Sequence, residues 1–251
     1  MLRIMLRGCN GRMGKCISEM CAARSDMSIA AGVDIDTAKL FDYPVCSDPA
    51  EYTGPADVAI DFSSPQQLNS FLDCCISRKL PLVLATTGIS SEQENLVDIA
   101  AKEIPVFRSA NMSLGISLLS SLITRAASAL GEDFDIEIVE RHHNQKLDAP
   151  SGTAYLLLRS LEDALPYPLD PVFDRSGRRE KRPKREIGMH AVRGGSIVGD
   201  HSVIFAGKGE YLTLSHSAVS REVFASGALR AAQFLSSGIP PGLYGMADIF
   251  E

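Results

Sequence analysis

Apolar and polar residues alternate along the N-terminal part of the chain in blocks typical of strands and helices. Leu2–Arg7 is a short apolar run, and it leads directly into a glycine-rich turn. Beyond the turn, apolar residues recur at helical spacing on one stripe, at Met13, Ile17, Met20 and Cys21. A second apolar run, Ile29–Val33, follows. The pattern therefore predicts a strand, a turn, a helix and another strand.

The same alternation continues over the next part of the chain. Leu80–Ala85 is almost wholly apolar, which is typical of a strand that is buried on both faces of a parallel sheet. The other predicted elements here are two strands and two helices: Ala56–Phe62, Ile104–Phe107, Gln66–Arg78 and Glu92–Lys102. This order of strands and helices predicts a doubly wound parallel sheet.

The pattern changes after Asn111. A long helix is predicted over Met112–Leu130, and Phe134–Val139 then alternates as a half-exposed antiparallel strand does. Two more strand-like runs and a last helix follow: Ile197–Phe205, Tyr211–His216 and Arg221–Leu235. We expect an α/β fold in which residues 1–112 and 217–251 form the parallel-sheet domain. Residues 113–216 then form an inserted α+β domain with a mixed or antiparallel sheet, whose exposed face would suit an oligomer interface.

The turn after the first strand has the composition of a phosphate-binding loop, Gly8-Cys9-Asn10-Gly11-Arg12-Met13-Gly14. Glycines between a strand and a helix let the backbone approach a pyrophosphate at the helix N-terminus, and Arg12 could add a charge. The spacing is G-x-x-G-x-x-G rather than G-x-G-x-x-G, so the glycines alone would also fit an unrelated α/β protein. Asp34 favours a dinucleotide-binding loop, because an acidic residue at the end of the second strand is placed to bind the ribose hydroxyls of NAD. A dinucleotide-binding domain is therefore predicted.

The choice of cofactor depends on the residues beside Asp34. Sites for NADP usually place an arginine here to meet the 2′-phosphate. In this chain Ile35 and Asp36 follow, and the nearest cation is Lys39. NADH is therefore the favoured cofactor, and NADPH is the alternative if Lys39 or a distant arginine compensates.

Ligands of open parallel sheets bind at the carboxyl ends of the strands. Three such ends are expected to line the cofactor groove together: Phe62–Ser63, Ala85–Thr87 and Ser109–Met112.

The segment from Glu140 to Ala154 carries the candidate chemistry. It contains His142 and His143 side by side, with Lys146 shortly after them. Histidine loses its charge near neutral pH and is the usual proton donor or acceptor. Ser151–Thr153 precedes an apolar helical run, so its free backbone N–H groups would form a seat for an anion. The alternative is that the two histidines are a surface or interface feature.

The overall composition fits a cytoplasmic enzyme. The chain has 251 residues, 45% of them hydrophobic, and a net charge of −6. No apolar run approaches the length of a membrane span, and Gly8 interrupts any signal-peptide pattern, so neither is expected. The negative charge argues against a nucleic-acid partner.

The six cysteines all lie within the first 75 residues, and they form no paired C-x-x-C set, so no metal site is expected. Buried thiols in a reducing compartment are the simplest interpretation. Cys9 is the one at which a helix N-terminus could lower the pKa, although a packing role is favoured there too.

A basic segment, Arg175–Arg185, carries seven cations in eleven residues. A solvated loop is the favoured interpretation; the alternatives are a mobile basic lid over an anionic ligand and a nucleic-acid arm. Downstream, Arg193 and His201 lie beside glycines. They are candidate neighbours of a substrate, although a turn explains the glycines equally well.

Together these motifs resemble the dihydrodipicolinate (4-hydroxy-tetrahydrodipicolinate) reductase family of lysine and diaminopimelate biosynthesis. The resemblance covers nearly the whole chain and is strongest in His-His-x-x-Lys-x-Asp-x-Pro-Ser-Gly-Thr-Ala, residues 142–154. The other shared motifs are Gly8-x-x-Gly11-Arg12-Met13-Gly14, Ala85-Thr86-Thr87-Gly88, Ser109-Ala110-Asn111-Met112-Ser113 and Arg193-x-Gly195-x-x-x-Gly199-x-His201. One departure lies in the glycine loop, where Cys9 and Asn10 stand in place of the two small residues that are commoner in this family.

The resemblance implies a Rossmann-type cofactor domain, a substrate domain whose sheets assemble a homotetramer, and reduction of a small dicarboxylate by NADH or NADPH. It implies that His142 and Lys146 are catalytic, and that His143, Ser151, Gly152 and Thr153 bind substrate. The implied cofactor residues are Gly8, Cys9, Asn10, Gly11, Arg12, Met13, Asp34, Ala85, Thr86, Thr87, Ser109, Ala110, Asn111 and Met112. Two alternatives remain: a related NAD(P)-dependent dicarboxylate oxidoreductase, and a non-catalytic dinucleotide sensor.

Overall fold

The computed structural model describes residues 1–250, and their contacts divide the chain into two units. One unit consists of Met1–Ser113 together with the segment that begins at Arg221, and the other is Leu114–Ser220. The junctions therefore lie after residues 113 and 220, where the sequence pattern places them after 112 and 216.

The first stretch of the first unit alternates strands with helices. Its elements are β1 (Leu2–Arg7), α1 (Arg12–Ala22), β2 (Met27–Val33), β3 (Val45–Cys46), β4 (Val58–Asp61), α2 (Leu68–Ser77), β5 (Leu82–Leu84), α3 (Ser91–Ala101) and β6 (Pro105–Arg108). The second unit follows with α4 (Leu114–Leu130), β7 (Asp135–His142), α5 (Gly152–Ala164), β8 (Asp170–Val172), β9 (Glu186–Arg193), β10 (Gly199–Ala206) and β11 (Tyr211–Ala218). The chain then returns to the first unit with α6 (Glu222–Leu235) and β12 (Gly242–Tyr244).

The sheet of the first unit has seven strands in the order β12-β6-β5-β4-β1-β2-β3. Every neighbouring pair is parallel. Helices α1 and α6 pack together, and so do α2 and α3. The strands are apolar because both faces are covered; Val58–Asp61, for example, is buried throughout. The prediction of a doubly wound parallel sheet is confirmed.

The sheet of the second unit has five strands in the order β11-β10-β7-β9-β8. β10 is antiparallel to β7 and β11, whereas β9 is parallel to β7 and β8. The core of this unit includes Ile136 and Ile138 of β7, Leu157 and Leu161 of α5, and Phe205 of β10. The mixed sheet that the sequence pattern predicts is confirmed.

Three strands of this sheet differ from the prediction. The sequence pattern ends the central strand at Val139, but β7 continues to His142. Its buried positions are Ile136, Ile138, Glu140 and His142, so the strand period simply continues onto polar side chains. β8, over Asp170–Val172, and β9, over Glu186–Arg193, are absent from the prediction; a strongly charged segment lies between them.

The basic segment is less solvated than expected. Arg175 pairs with Glu137 of β7 at 2.6 Å and also with Glu186, while Arg178 pairs with Glu186 at 2.7 Å. Arg182 contacts Glu137 at 3.1 Å. Burial alone would raise the pKa of Glu137, but hydrogen bonds from Arg175, His190 and Arg182 hold it below its usual value. These ion pairs attach the half-buried Arg175 and Arg182 to the sheet, whereas the rest of the segment is an exposed loop, as the favoured interpretation has it.

Helix α4 and the turn after it, Leu114–Asp133, are long and apolar enough to cross a membrane by length and composition alone. The same composition occurs in core helices of water-soluble proteins. Here α4 packs on α5 and buries Ile116, Leu119 and Ile123 within its unit.

Candidate active site

The glycine turn of the first unit joins β1 to α1. Gly8 has a φ of +79°, and a Cβ at this position would lie 2.7 Å from the carbonyl oxygen of Phe62. A Cβ on Gly14 would collide with the carbonyl oxygen of Gly8. Gly11 is the N-cap of α1 and makes no side-chain capping bond. The turn therefore presents backbone N–H groups at a helix N-terminus, which suits a phosphate.

A pocket of about 390 Å³ lies beside this turn. Predicted cofactor residues on its wall are Gly8, Asn10, Gly11 and Asp34, and the predicted strand end Phe62–Ser63 lines it as well. The residues on its wall that the sequence does not single out for this role are Arg7, Val33, Ser47, Ser64, Gln66 and Gln67; Ile35 and Asp36 complete it.

The other predicted cofactor residues lie off this wall, although all of them are within the described chain: Cys9, Arg12, Met13, Ala85, Thr86, Thr87, Ser109, Ala110, Asn111 and Met112. Thr86 supports the wall, because its Oγ1 accepts a hydrogen bond from the backbone N–H of Ser63 at 3.2 Å. Ser109 and Asn111 form a turn of their own, in which the Ser109 hydroxyl donates to the Asn111 carbonyl at 2.7 Å.

Asp34 is held in place at the end of β2 by two backbone donors. The N–H of Asn10 donates to one carboxylate oxygen at 2.9 Å, and the N–H of Asp36 donates to the other at 3.2 Å. The side-chain amide of Asn10 in turn donates to the carbonyls of Asp36 and Ala38. The glycine turn and the loop after β2 are therefore fastened to each other through Asn10.

Two cations near this loop have carboxylate partners. Lys39 pairs with Asp42 at 3.5 Å. Arg7, which is the one cation among the residues described on the pocket wall, is 5% exposed and pairs with the fully buried Asp61 at 2.8 Å. Arg7 also donates to the carbonyl of Gln66.

Cys9 is a packing residue. It is fully buried, and a Cβ on Gly32 would lie 2.5 Å from its Sγ. Burial raises the pKa of the Cys9 thiol to about 11. The favoured interpretation therefore holds, and the helix N-terminus does not make this thiol acidic.

The chemistry-bearing segment of the second unit is organised around Glu140. This side chain is 1% exposed and lies two residues before His142 on the buried face of β7. One carboxylate oxygen bonds His142 Nδ1 at 2.6 Å, and the other accepts the backbone N–H of Ser151 at 3.0 Å. Arg193 donates to both oxygens, at 2.7 Å each. Burial alone would raise the pKa of Glu140, but the bonds from Arg193 and His142 hold it below its usual value.

A second buried ring lies next to His142. The rings of His142 and His201 are 5.2 Å apart in an edge-to-face arrangement. His201 Nε2 is 2.9 Å from the hydroxyl oxygen of Ser151. Burial, followed by the nearby His142 ring, lowers the pKa of His201 to about 4. His201 is therefore neutral at physiological pH, while the adjacent ring has a carboxylate partner.

Helix α5 begins as predicted from the sequence. Ser151 is its N-cap and accepts the backbone N–H of Ala154 at 3.1 Å. A Cβ on Gly152 would meet nothing within 4 Å, so the helix start has free space beside it. Lys146 pairs with Asp148 at 2.9 Å, and this hydrogen bond is the main cause of the lowered pKa of Asp148. His143 has a buried Nδ1 with no hydrogen-bond partner in the described chain.

The role of Glu140 is not evident in the sequence pattern. The available signal is its place in the series Ile136, Ile138, Glu140, His142, where a carboxylate occupies a core position of a strand. Arg193 lies 53 residues from Glu140 in the chain, and spacing gives no indication of that pairing. Glutamine residues on the first unit's pocket wall also carry no sequence signal.

Two family profiles together match nearly the whole chain. The family profile described as dihydrodipicolinate reductase, N-terminus, matches residues 2–112, and the profile described as dihydrodipicolinate reductase, C-terminus, matches residues 115–250. The chain belongs to the dihydrodipicolinate reductase family. The resemblance drawn from the motifs is confirmed.

Several members of the dihydrodipicolinate reductase family match along their full length. The 4-hydroxy-tetrahydrodipicolinate reductase of Clostridium tetani is 51% identical, over 98% of this chain and 96% of its own. That of Caldanaerobacter subterraneus is also 51% identical, over 100% and 99%. A solved structure, dipicolinate-bound dihydrodipicolinate reductase from Paenisporosarcina sp. TG-14, has a TM-score of 0.82 at 25% identity and covers 99% of each chain.

Proposed function

We propose that this chain reduces 4-hydroxy-tetrahydrodipicolinate to tetrahydrodipicolinate in lysine and diaminopimelate biosynthesis. In this reaction one NAD(P)H and one proton are consumed, and one water is released. The observation that carries the proposal is the buried Glu140 cluster, with His142, Arg193 and the start of α5, in a chain that matches reductases of this name over its full length.

A dinucleotide fits the first unit. Gly8 and Gly14 allow the tight turn, because a Cβ at either position would collide with a backbone carbonyl oxygen. The N-terminus of α1 suits the pyrophosphate, and Asp34 suits the ribose hydroxyls. The reduced nicotinamide, when bound, supplies a hydride to the conjugated C=N–C=C system of the dehydrated substrate. The remaining predicted cofactor residues at the ends of β5 and β6 would hold the rest of the molecule.

The second unit supplies the proton and the carboxylate sites. We assign His142 as the group that protonates the reduced ring, with Lys146 as the second catalytic cation. The N–H groups of Gly152 and Thr153 at the start of α5, together with His143, would hold a substrate carboxylate. Support for a ligand of this class comes from the Paenisporosarcina relative, whose structure contains dipicolinate. Donors aimed at fixed carboxylates orient the ring and stabilise the charge that develops during reduction.

NADH is proposed as the preferred cofactor. Asp34 and Asp36 both line the pocket, so their charges would repel a 2′-phosphate. Arg7 is buried against Asp61 and is not free to compensate, and Lys39 lies in an exposed pair with Asp42 at 3.5 Å. Ile35 is 85% exposed and stands where an arginine would meet the phosphate.

The assembly and the compartment are also proposals. A homotetramer is inferred from the family resemblance, with the open face of the second sheet as the interface. The six cysteines are free thiols, as expected of a cytoplasmic protein. A small dicarboxylate, rather than a nucleic acid or a membrane, is the proposed partner.

The proposal is tested by following the loss of reduced-nicotinamide absorbance with NADH and NADPH in parallel. The labile substrate is generated in the cuvette from pyruvate and aspartate semialdehyde by its synthase. Turnover should depend on that synthase and should be faster with NADH. Binding of NADH without turnover of either cofactor would contradict the proposal and would favour a different dicarboxylate or a dinucleotide sensor.

A further inference from the structure

Glu140 joins three separate parts of the second unit. Its carboxylate accepts hydrogen bonds from Nδ1 of His142, from both terminal nitrogens of the Arg193 guanidinium, and from the backbone N–H of Ser151, which precedes α5. A buried carboxylate is expensive unless such donors satisfy it. The satisfied network therefore has one arrangement, and that arrangement fixes the proton donor relative to the helix start.

The network also determines which nitrogen of His142 can react. An ionised carboxylate only accepts hydrogen bonds, so the hydrogen in the 2.6 Å contact belongs to Nδ1. The opposite nitrogen, Nε2, bonds no group in the described residues 1–250. A Cβ at position 199 would lie 3.1 Å from this atom, which is closer than side chains normally pack. Gly199 therefore leaves space at Nε2.

We propose that Glu140 is a positioning residue that keeps Nδ1 of His142 protonated, so that Nε2 transfers the proton, and that Gly199 keeps Nε2 accessible. This inference rests on the proposed function, in which His142 is the proton donor. The ring gives its Nε2 proton to the carbon of the reduced substrate, and Nδ1 keeps its proton throughout. His201, whose ring packs against that of His142, is hydrogen-bonded to Ser151 and takes no part in the transfer.

The principal test is Glu140→Gln. Glutamine has the same shape, but its –NH2 group would face either the His142 and Arg193 donors or the Ser151 and Arg193 donors, so one set loses its acceptor. We expect kcat to fall about 10²-fold and KM to change by less than about tenfold. In ¹⁵N spectra of the neutral His142 ring, the proton should reside on Nδ1 in the wild type and be shared with Nε2 in the variant, because in either orientation the amide lacks the charge that holds the proton at Nδ1.

Gly199→Ala tests the space at Nε2 without altering the carboxylate. Gly199 does not have a positive φ, so alanine is tolerated by the backbone. We expect kcat to fall about tenfold, with the proton still on Nδ1. Gly177→Ala is the matched control, because its Cβ would meet nothing within 4 Å; it should retain wild-type kcat. If Glu140→Gln does not fold, Gly199→Ala and the wild-type spectrum decide the matter.

The outcomes separate this inference from the proposed function. Wild-type kcat in Glu140→Gln, even with a raised KM, would overturn the positioning role of Glu140. A wild-type proton on Nε2, or full activity in Gly199→Ala, would overturn the assignment of the reacting atom. Full activity in His142→Gln would instead contradict the proposed function itself, whatever Glu140→Gln does.

Discussion

The two candidate ligand sites of this chain are built on different physical principles. In the first unit, the candidate cofactor pocket depends on missing side chains: glycines let the backbone of the turn pack closely and expose its N–H groups, and the one cation on the described wall, Arg7, is already paired. In the second unit, the site is made by a buried charge, because Glu140 holds a ring, a guanidinium and a helix start together. Added volume should therefore damage the first site, and altered charge should damage the second.

The largest effect is expected from His142→Gln, which removes the proposed proton donor without adding volume. We expect kcat to fall about 10³-fold, within the usual range for a general acid. The dissociation constant for NADH should stay unchanged, because the predicted cofactor residues all belong to the first unit. The coupled absorbance assay gives kcat, and fluorescence titration gives NADH affinity. Loss of NADH affinity with normal turnover of the bound cofactor would refute this assignment.

Gly8→Ala tests the first site by adding a single methyl group. We expect a loss of about 3 kcal/mol in the free energy of unfolding. A non-glycine residue is strained at this positive φ, and the new Cβ would also collide with the Phe62 carbonyl oxygen. Gly88→Ala is the matched control: Gly88 has a φ of +74° but open space around it. It should lose only about 1 kcal/mol. Denaturant unfolding measures both, and equal losses would show that the collision has no cost.

How much of each site is visible in the sequence follows from the same difference. The glycine turn is a local feature, so its position, the strand before it and the acidic residue after β2 could all be predicted residue by residue. The Glu140 network is not local. Its strand continues past the last apolar residue onto Glu140 and His142, and this looks like the end of a strand to any reading based on hydrophobicity.

Long-range pairings explain the remaining differences. Arg193 reaches Glu140 from β9, a strand that the sequence pattern does not predict. Arg175 and Arg182 look like a solvated basic segment until the sheet brings Glu137 beside them. The sequence therefore predicts which residues of the candidate catalytic segment carry chemistry, but the charge that organises them could be identified only from the fold.

Acid should destabilise the charge-based site. Burial lowers the pKa of His201 to about 4 in the folded chain, below the usual 6.5 of a histidine. The unfolded chain therefore binds a proton that the folded chain does not, and the free energy of unfolding falls as pH drops below 6.5. Between about pH 6.5 and 5 the loss should be about 2 kcal/mol. When the free energy of unfolding is measured by denaturant across this range, its slope against pH should be shallower in His201→Gln than in the wild type. An unchanged slope would mean that another group causes the pH dependence.

The smallest expected effect concerns charge in the pocket beside the glycine turn of the first unit. It limits how far the contrast between the two sites extends. Asp34→Ala should lower kcat/KM for NADH relative to NADPH by about tenfold, because a charged hydrogen bond to the ribose is lost and a repulsion of the 2′-phosphate is removed. Asp36→Ala is the control, since Asp36 lines the same pocket but its carboxylate accepts, among residues 1–250, only the N–H of Ala38. If both variants change the ratio equally, the general charge of the pocket sets the preference and Asp34 does not contact the ribose. If only Asp34→Ala changes it, one carboxylate discriminates between the cofactors, and the first site also depends on a charge held in place by backbone donors.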